Sequence, residues 1–265
     1  INIVEAETGT LLGTMDGAQS QYQAHTGAVY VHQGQTFLVE ELNEADHCAV
    51  VTRANPEFYT QARDITQIEV METERSEQWG EVQMCFGTVK VTTQVVSFQR
   101  KALVSNEILG EEPLELEAKE LFTKAVWFII DEKLLLAAGL AAADFPGSLH
   151  AAEHASIGML PLVATSDRWD IGGVSTALHA DTGKPTIFVY DGHPGGAGFA
   201  ERAYEAATIW LSATRDAIRA CECDGGCPSC VQSPKCGNKN NPLDKKGAVT
   251  LIGVLLANAP TTGAS

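Results

Sequence analysis

Apolar and polar positions along the chain change rhythm near Gly110. Upstream, short runs rich in Val, Thr and Phe alternate with turn residues: AVYVHQGQTFLVEEL, HCAVVTRA, QIEVMET and GEVQMCFGTVKVTTQVVSFQR. Such runs, bounded by turn formers, predict strands. In the first run QGQ separates two apolar pieces and reads as a hairpin turn. Strands spaced this way predict a small barrel or sandwich over residues 26–110. Residues 1–25, rich in Gly and Gln, read as a remnant of a preceding domain.

After Gly110 the period lengthens. LELEAKELFTKAVWFIIDEKLLLAAG carries apolar residues three and four apart and predicts a helix that stops at Gly139. Its most apolar stretch, Ala125 to Ala143, is interrupted by Asp131, Glu132 and Lys133, which predicts a buried helix rather than a membrane span. A second helix is expected over LHAAEHASIGML. GGVSTALHA and PTIFVYD predict strands joined by DTGK, and FAERAYEAATIWLSATRDAIRA a long amphipathic helix. The last helix should open in NPLDKKGA. There Asn241 suits the N-cap, Pro242 the first helical position, and Asp244 the positive end of the helix. The expected fold class is α+β: a small β-rich, barrel- or sandwich-like part, then a mixed α/β domain over residues 111–265.

Length adds that 265 residues suffice for one large domain or two ordinary ones. The chain begins with Ile1 and shows no charged n-region followed by an apolar one, so it reads as a piece of a longer chain or a processed product. A cytoplasmic location is the expectation. The net charge of −16 argues against a free-standing nucleic-acid binder, whose affinity comes mostly from Lys and Arg on phosphates. The charge is uneven. From Cys221 onward four lysines (235, 239, 245, 246) face three acids (Glu222, Asp224, Asp244), a net of +1 that leaves −17 to the rest.

That corner also holds five of the seven cysteines, in CECDGGCPSCVQSPKC. The spacing C-x-C-x3-C-x2-C-x5-C suits a tetrahedral zinc, which needs four donors about 2.3 Å from the ion. Gly225 and Gly226 permit positive φ before Cys227, and Pro228 restricts φ inside the C-x2-C turn. Disulfides would need an oxidising compartment. A redox-active Cys227-x-x-Cys230 would open a helix rather than follow one. The spacing matches neither ferredoxin pattern. Five thiols compete for four positions: Cys221, Cys223, Cys227 and Cys230 form the compact set, and a competing set drops Cys221 for Cys236. Cys48 and Cys85 lie in strand-like runs and are expected to be small buried residues.

Two other patterns carry chemistry. Gly192, Gly195, Gly196 and Gly198 lie between a strand and a helix, where backbone N–H groups could cradle an anion or simply make a tight turn. His150, Glu153 and His154 spell H-x-x-E-H, the pattern of one zinc peptidase class, in which the histidines share a helix face and the carboxylate serves as base. His179 and His193 could join such a site. There is no G-x-S-x-G and no G-x-x-x-x-G-K-[ST].

Taken together, HAAEHA, DRWDIGG, IFVYDGHPGGAGFAERAY and CECDGGCPSCVQSPKCGNKNNPLDKKGA resemble the C-terminal zinc-binding region of a superfamily II DNA helicase family. This is the mitomycin-repair-factor type of bacteria and fungi. The resemblance covers about residues 115–257, and GAVYVHQGQTFLVEEL is similar to the segment that family places between motor and zinc module. It implies a parent enzyme that uses ATP to move 3′ to 5′ on single-stranded DNA in repair. It also implies one structural zinc, with Cys221, Cys223, Cys227 and Cys230 matching the ligand pattern. ATP and Mg2+ would then bind on motor domains outside this chain, and the chain alone would not be catalytic. A peptidase-like zinc hydrolase using His150, Glu153 and His154 is the alternative from another class. A protein-interaction module without nucleic-acid contact is a third.

Overall fold

The alternating runs of the first part pair as strands. In the computed structural model, which describes residues 1–260, β1 (Asn2–Glu5), β2 (Leu11–Thr14), β3 (Val29–His32), β4 (Gln35–Asn43) and β5 (Cys48–Arg53) form a sheet in the order β2-β1-β5-β4-β3. β1 runs parallel to β5, and the other neighbours are antiparallel. The QGQ turn is a two-residue hairpin. His32 pairs with Gln35, and Gln33 and Gly34 take φ of 48° and 79°, the twist that matches paired strands. Between β2 and β3 lies α1 (Gly17–Gln23), capped by the Asp16 carboxylate, which accepts from Ala18 N–H at 2.8 Å. Ile3, Phe37, Val39, Ala49 and Val51 fill the core here with Ala24 and Ala28.

The chain divides into two compact units, Ile1–Thr66 with Thr93–Lys119, and Gln67–Thr92 with the chain from Glu120 onward. The long strands β6 (Phe58–Trp79) and β7 (Val82–Ala102) contribute residues to both. In the first unit β7 also pairs with β8 (Ile108–Pro113). The second sheet continues with β9 (Lys119–Ile130), β10 (Ile171–Thr176) and β11 (Thr186–Asp191), in the order β10-β11-β9-β7-β6. The fold class is α+β.

The long helix expected over residues 114–139 is not there: its middle, Lys119–Ile130, is β9. Val126, Phe128 and Ile130 enter one core with Trp79, Leu149 and Trp210. Ala125 and Trp127 enter another with Ile68, Val89 and Phe188. The Trp127 and Phe188 rings stack with centroids 5.7 Å apart. A strand covered on both faces is apolar at every position, so its period of two cannot be seen. The β-branched and aromatic run VWFII then favours the strand. Helix starts only at α2 (Glu132–Ala137), where the Asp131 carboxylate accepts from Lys133 N–H at 3.0 Å, and it stops at Gly139, whose φ is 88°.

The remaining helices of the second unit are α3 (Phe145–Met159), α4 (Phe199–Glu205), α5 (Ala207–Ala220) and α6 (Lys245–Asn258). The single helix expected over residues 199–220 is two. Ala206 still donates to the Arg202 carbonyl at 3.0 Å, but its φ of −107° and ψ of 21° turn the axis. The last helix opens later than expected, at Lys245. Asn241 does not cap it, because it lies in the loop ahead of the first helical turn, where its N–H donates to Asn238 O. Asp244, in extended backbone, caps instead and accepts from Gly247 N–H at 2.9 Å. α3 is buried along most of its length, and Trp210 Nε1 donates to its Ser156 carbonyl at 2.8 Å. α6 lies so close to α3 that a Cβ on Gly247 would fall 2.0 Å from Ser148 Oγ. Among the described residues no helix is long and apolar enough to cross a membrane.

Candidate metal centre

The cysteine loop begins where α5 ends. Cys221 leaves the helix in extended backbone (φ −75°, ψ 123°). Cys230 N–H and Gln232 N–H both return to the Cys227 carbonyl, at 3.0 and 3.1 Å, closing the C-x2-C turn around Pro228. Gly226 takes φ of 119°, and a Cβ there would meet Val231 Cγ2 at 2.5 Å. Val231 is fully buried and ties the turn to the core.

The turn brings four thiols together. Sγ distances are 3.6 Å (Cys221–Cys223), 3.5 Å (Cys221–Cys227), 3.5 Å (Cys223–Cys230) and 3.8 Å (Cys227–Cys230). All four sulfurs lie within 4.8 Å of one another. Donors about 2.3 Å from a tetrahedral ion are about 3.8 Å apart, whereas a disulfide would need about 2.05 Å. All four thiols are free. The donor set and its spacing therefore fit zinc. Lys245 Nζ donates to the Cys221 and Cys223 carbonyls at 2.6 and 2.5 Å and lies 3.4 Å from Cys223 Sγ, a cation beside sulfurs that must lose protons to ligate. As bare thiols the group is in conflict. A hydrogen bond with Cys221, then one from the Ser229 backbone, draws Cys227 down to about 7. Burial pushes Cys230 up to about 12.

The fifth thiol lies elsewhere. Cys236 Sγ is 3.4 Å from His150 Nε2 on α3 and accepts from Asn240 N–H at 3.2 Å. His150, His154 and Cys236 converge, one donor atom of each within 4.8 Å of the others. The two imidazole centroids are 4.2 Å apart. Burial lowers the pKa of His150 and holds that of His154 down at about 4, with the neighbouring His150 adding to the shift. Glu153, the middle of the H-x-x-E-H pattern, turns away toward β10 and accepts from Ser175 Oγ at 2.6 Å. Burial pushes its carboxyl up to about 7 against that hydrogen bond.

The other histidines stay apart from this cluster. His179 Nε2 donates to the Ile68 carbonyl at 3.0 Å, and His193 Nε2 lies 3.2 Å from Asp170 Oδ1. Of the two strand cysteines, Cys85 is buried, with its thiol pushed up to about 11 by burial. Cys48, at the start of β5, is only half-buried, so the expectation of a core residue fails there.

The glycine loop does cradle an anion, one the chain itself supplies. Asp191, fully buried at the end of β11, takes Ala197, Gly198 and Phe199 N–H on Oδ2 at 2.5, 2.9 and 3.3 Å, and Ala200 N–H on Oδ1 at 2.7 Å. Asp191 is a site residue absent from the sequence-based candidates. Its signal was an acid placed directly before the glycines.

Residues 152–231 match the family model of the MrfA Zn-binding domain. The chain is 30% identical over 232 residues to an uncharacterized ATP-dependent helicase, YprA of Bacillus subtilis, covering 83% of this chain and 29% of that protein. It is 40% identical over 114 residues to the uncharacterized protein MJ1572.1 of Methanocaldococcus jannaschii, covering 41% of this chain and 100% of that protein. Its fold matches the crystal structure of the DUF1998 helicase MrfA bound to DNA with a TM-score of 0.66 and 28% identity, over 96% of this chain and 34% of that one. The chain thus spans about a third of the length of the helicases it resembles.

Proposed function

Since the chain belongs to the family of the MrfA Zn-binding domain, we propose that it is an accessory module of an ATP-dependent DNA helicase, built around a structural zinc on Cys221, Cys223, Cys227 and Cys230. The observation that supports this most is the four-thiol knuckle, with neighbouring sulfurs 3.5 to 3.8 Å apart. Four thiolates leave no open coordination position, so the metal holds a loop in shape and does no chemistry. The zinc lies within the domain of residues 111–265. Its partners are the motor domains of the same parent protein, which bind ATP and Mg2+, and single-stranded DNA. The compartment is the cytoplasm. An acidic body with one near-neutral corner suits docking on a basic motor while offering DNA a limited contact, and the 3′ to 5′ motor would push the strand past this module.

The test is made on the parent protein. Cys227→Ser with Cys230→Ser should release zinc from the knuckle and abolish unwinding of a 3′-tailed duplex, while DNA-independent ATP hydrolysis by the motor persists. Unwinding that survives loss of the knuckle metal would remove the proposed role. Absence of zinc from freshly purified, reduced protein would remove the metal.

A further inference from the structure

The loop that follows the knuckle has almost nothing apolar with which to hold itself down. Residues 232–242 read QSPKCGNKNNP. Yet it lies against α3 and is held there at both ends by the same two side chains. His154 Nδ1 meets the Val231 carbonyl at 2.9 Å, and His150 Nδ1 meets the Pro242 carbonyl at 2.9 Å. A carbonyl oxygen only accepts, so both Nδ1 atoms carry the proton and both Nε2 atoms present a lone pair. The spacing of four residues sets the two rings one turn apart on one face of the helix. Cys236, midway along the loop, brings its sulfur to them.

A thiol–imidazole hydrogen bond does not account for this arrangement. One thiol has one proton and can satisfy one lone pair, whereas a ring nitrogen of each histidine lies within 4.8 Å of this one sulfur. Histidines that donate Nδ1–H to backbone carbonyls and aim Nε2 at a common point have the outer-shell pattern of metal ligands, because the carbonyl sets both tautomer and ring direction. Nitrogen and sulfur donors on one tetrahedral ion are about 3.5 Å apart, and the His150–Cys236 separation is 3.4 Å. The Asn240 N–H on Cys236 Sγ is a further bond that favours a thiolate.

We propose that His150, His154 and Cys236 form a second metal site, a two-histidine, one-cysteine centre for Zn2+ separate from the four-thiol knuckle. Imidazole and thiolate together select a borderline-soft divalent ion over magnesium or calcium. Three protein ligands leave a fourth position to solvent, which can reach the half-buried His150 and Cys236. The site is not the peptidase centre that H-x-x-E-H would make, because Glu153 is engaged with Ser175 on β10. Its effect is mechanical: it pins the middle of a loop whose ends the same histidines already hold. The inference stands apart from the helicase reading.

The experiment counts zinc in the reduced 265-residue chain after loading and gel filtration, and reads ligand type by zinc K-edge absorption. Two equivalents are expected, with imidazole scattering beside sulfur. Cys236→Ser and His154→Gln should each retain one equivalent and lose the imidazole signature. Cys227→Ser should keep that signature while losing the knuckle metal. Cys236→His replaces one ligand by another and should restore the second equivalent, which separates loss of metal from loss of fold. A single equivalent with an all-sulfur shell in the unaltered chain would overturn the site, as would Cys236→Ser and His154→Gln holding as much zinc as the unaltered chain. Neither result touches the four-thiol knuckle, whose own failure would appear as an absence of all-sulfur zinc.

Discussion

Asp191 Oδ1 accepts the Ala200 N–H at 2.7 Å, and this contact settles what the glycine loop before α4 holds. The loop has the shape of a phosphate cradle, and its amides are taken by a carboxylate from the strand that precedes it. Replacing Asp191 by Ala should therefore destabilise the second unit by about 2–4 kcal/mol, since several N–H groups lose a charged acceptor at once. Chemical denaturation followed by tryptophan fluorescence checks this. An unchanged midpoint, or inorganic phosphate binding at this loop in the unaltered chain, would contradict it.

Removing the knuckle metal should cost stability where the apolar core is thinnest. Cys227→Ser, or a strong chelator at neutral pH, is expected to lower the melting temperature by roughly 6–12 °C, equivalent to about 3 kcal/mol in a chain of this size. The shift should depend on free zinc in the unaltered chain and not in the variant. A melting curve indifferent to zinc would count against a structural ion.

His25 makes the first unit sensitive to acid. Its ring lies fully buried against Phe98, with centroids 4.5 Å apart. Nδ1 donates to the Thr26 carbonyl at 2.9 Å, while the buried Nε2 has no partner. Burial lowers its pKa below 6.5, the Thr26 bond opposing only in part. The unfolded chain thus binds the proton more readily than the folded one. The stability from the neutral ring is complete above about pH 6.5 and is lost as pH falls through the lower folded value. His25→Phe should flatten that part of the pH profile. Equal slopes below pH 6.5 in the two proteins would refute the assignment.

Gly247 decides how closely α6 approaches α3. A Cβ there would fall 2.0 Å from Ser148 Oγ and 2.3 Å from Asp244 Oδ2, the residue that caps the helix. Gly247→Ala should destabilise by about 1–3 kcal/mol despite the better helix propensity of Ala. Gly253→Ala, on the same helix with open space around its Cβ, should be neutral or stabilising. The two variants compared by thermal melting separate crowding from propensity.

Legibility followed the distance over which each feature is decided. The QGQ hairpin, the Gly139 stop and the compact thiol set depend on neighbours within about ten residues, so spacing and turn chemistry reveal them. β9 was hidden because layers on both of its faces erase the period of two, and those layers come from other elements of the chain, Trp79 and Trp210 on one face and Val89 and Phe188 on the other. The break at Ala206 and the cap at Asp244 were hidden for a milder reason. Several residues nearby are chemically able to play the part, and the backbone angles at Ala206 and Asp244 fix which of them does.

By itself the order of residues pointed to a zinc knuckle drawn from five crowded thiols between two helices, because ligand spacing and the turn-forming glycines and proline are local features. What occupies the glycine loop and what joins Cys236 were decided by the tertiary structure. Asp191 stands at the end of a strand whose register aims its carboxylate at the loop. Cys236 meets His150 across 86 positions of sequence, on a helix whose other face is packed into the core. Such meetings follow from how sheets and helices stack, and no local spacing encodes them.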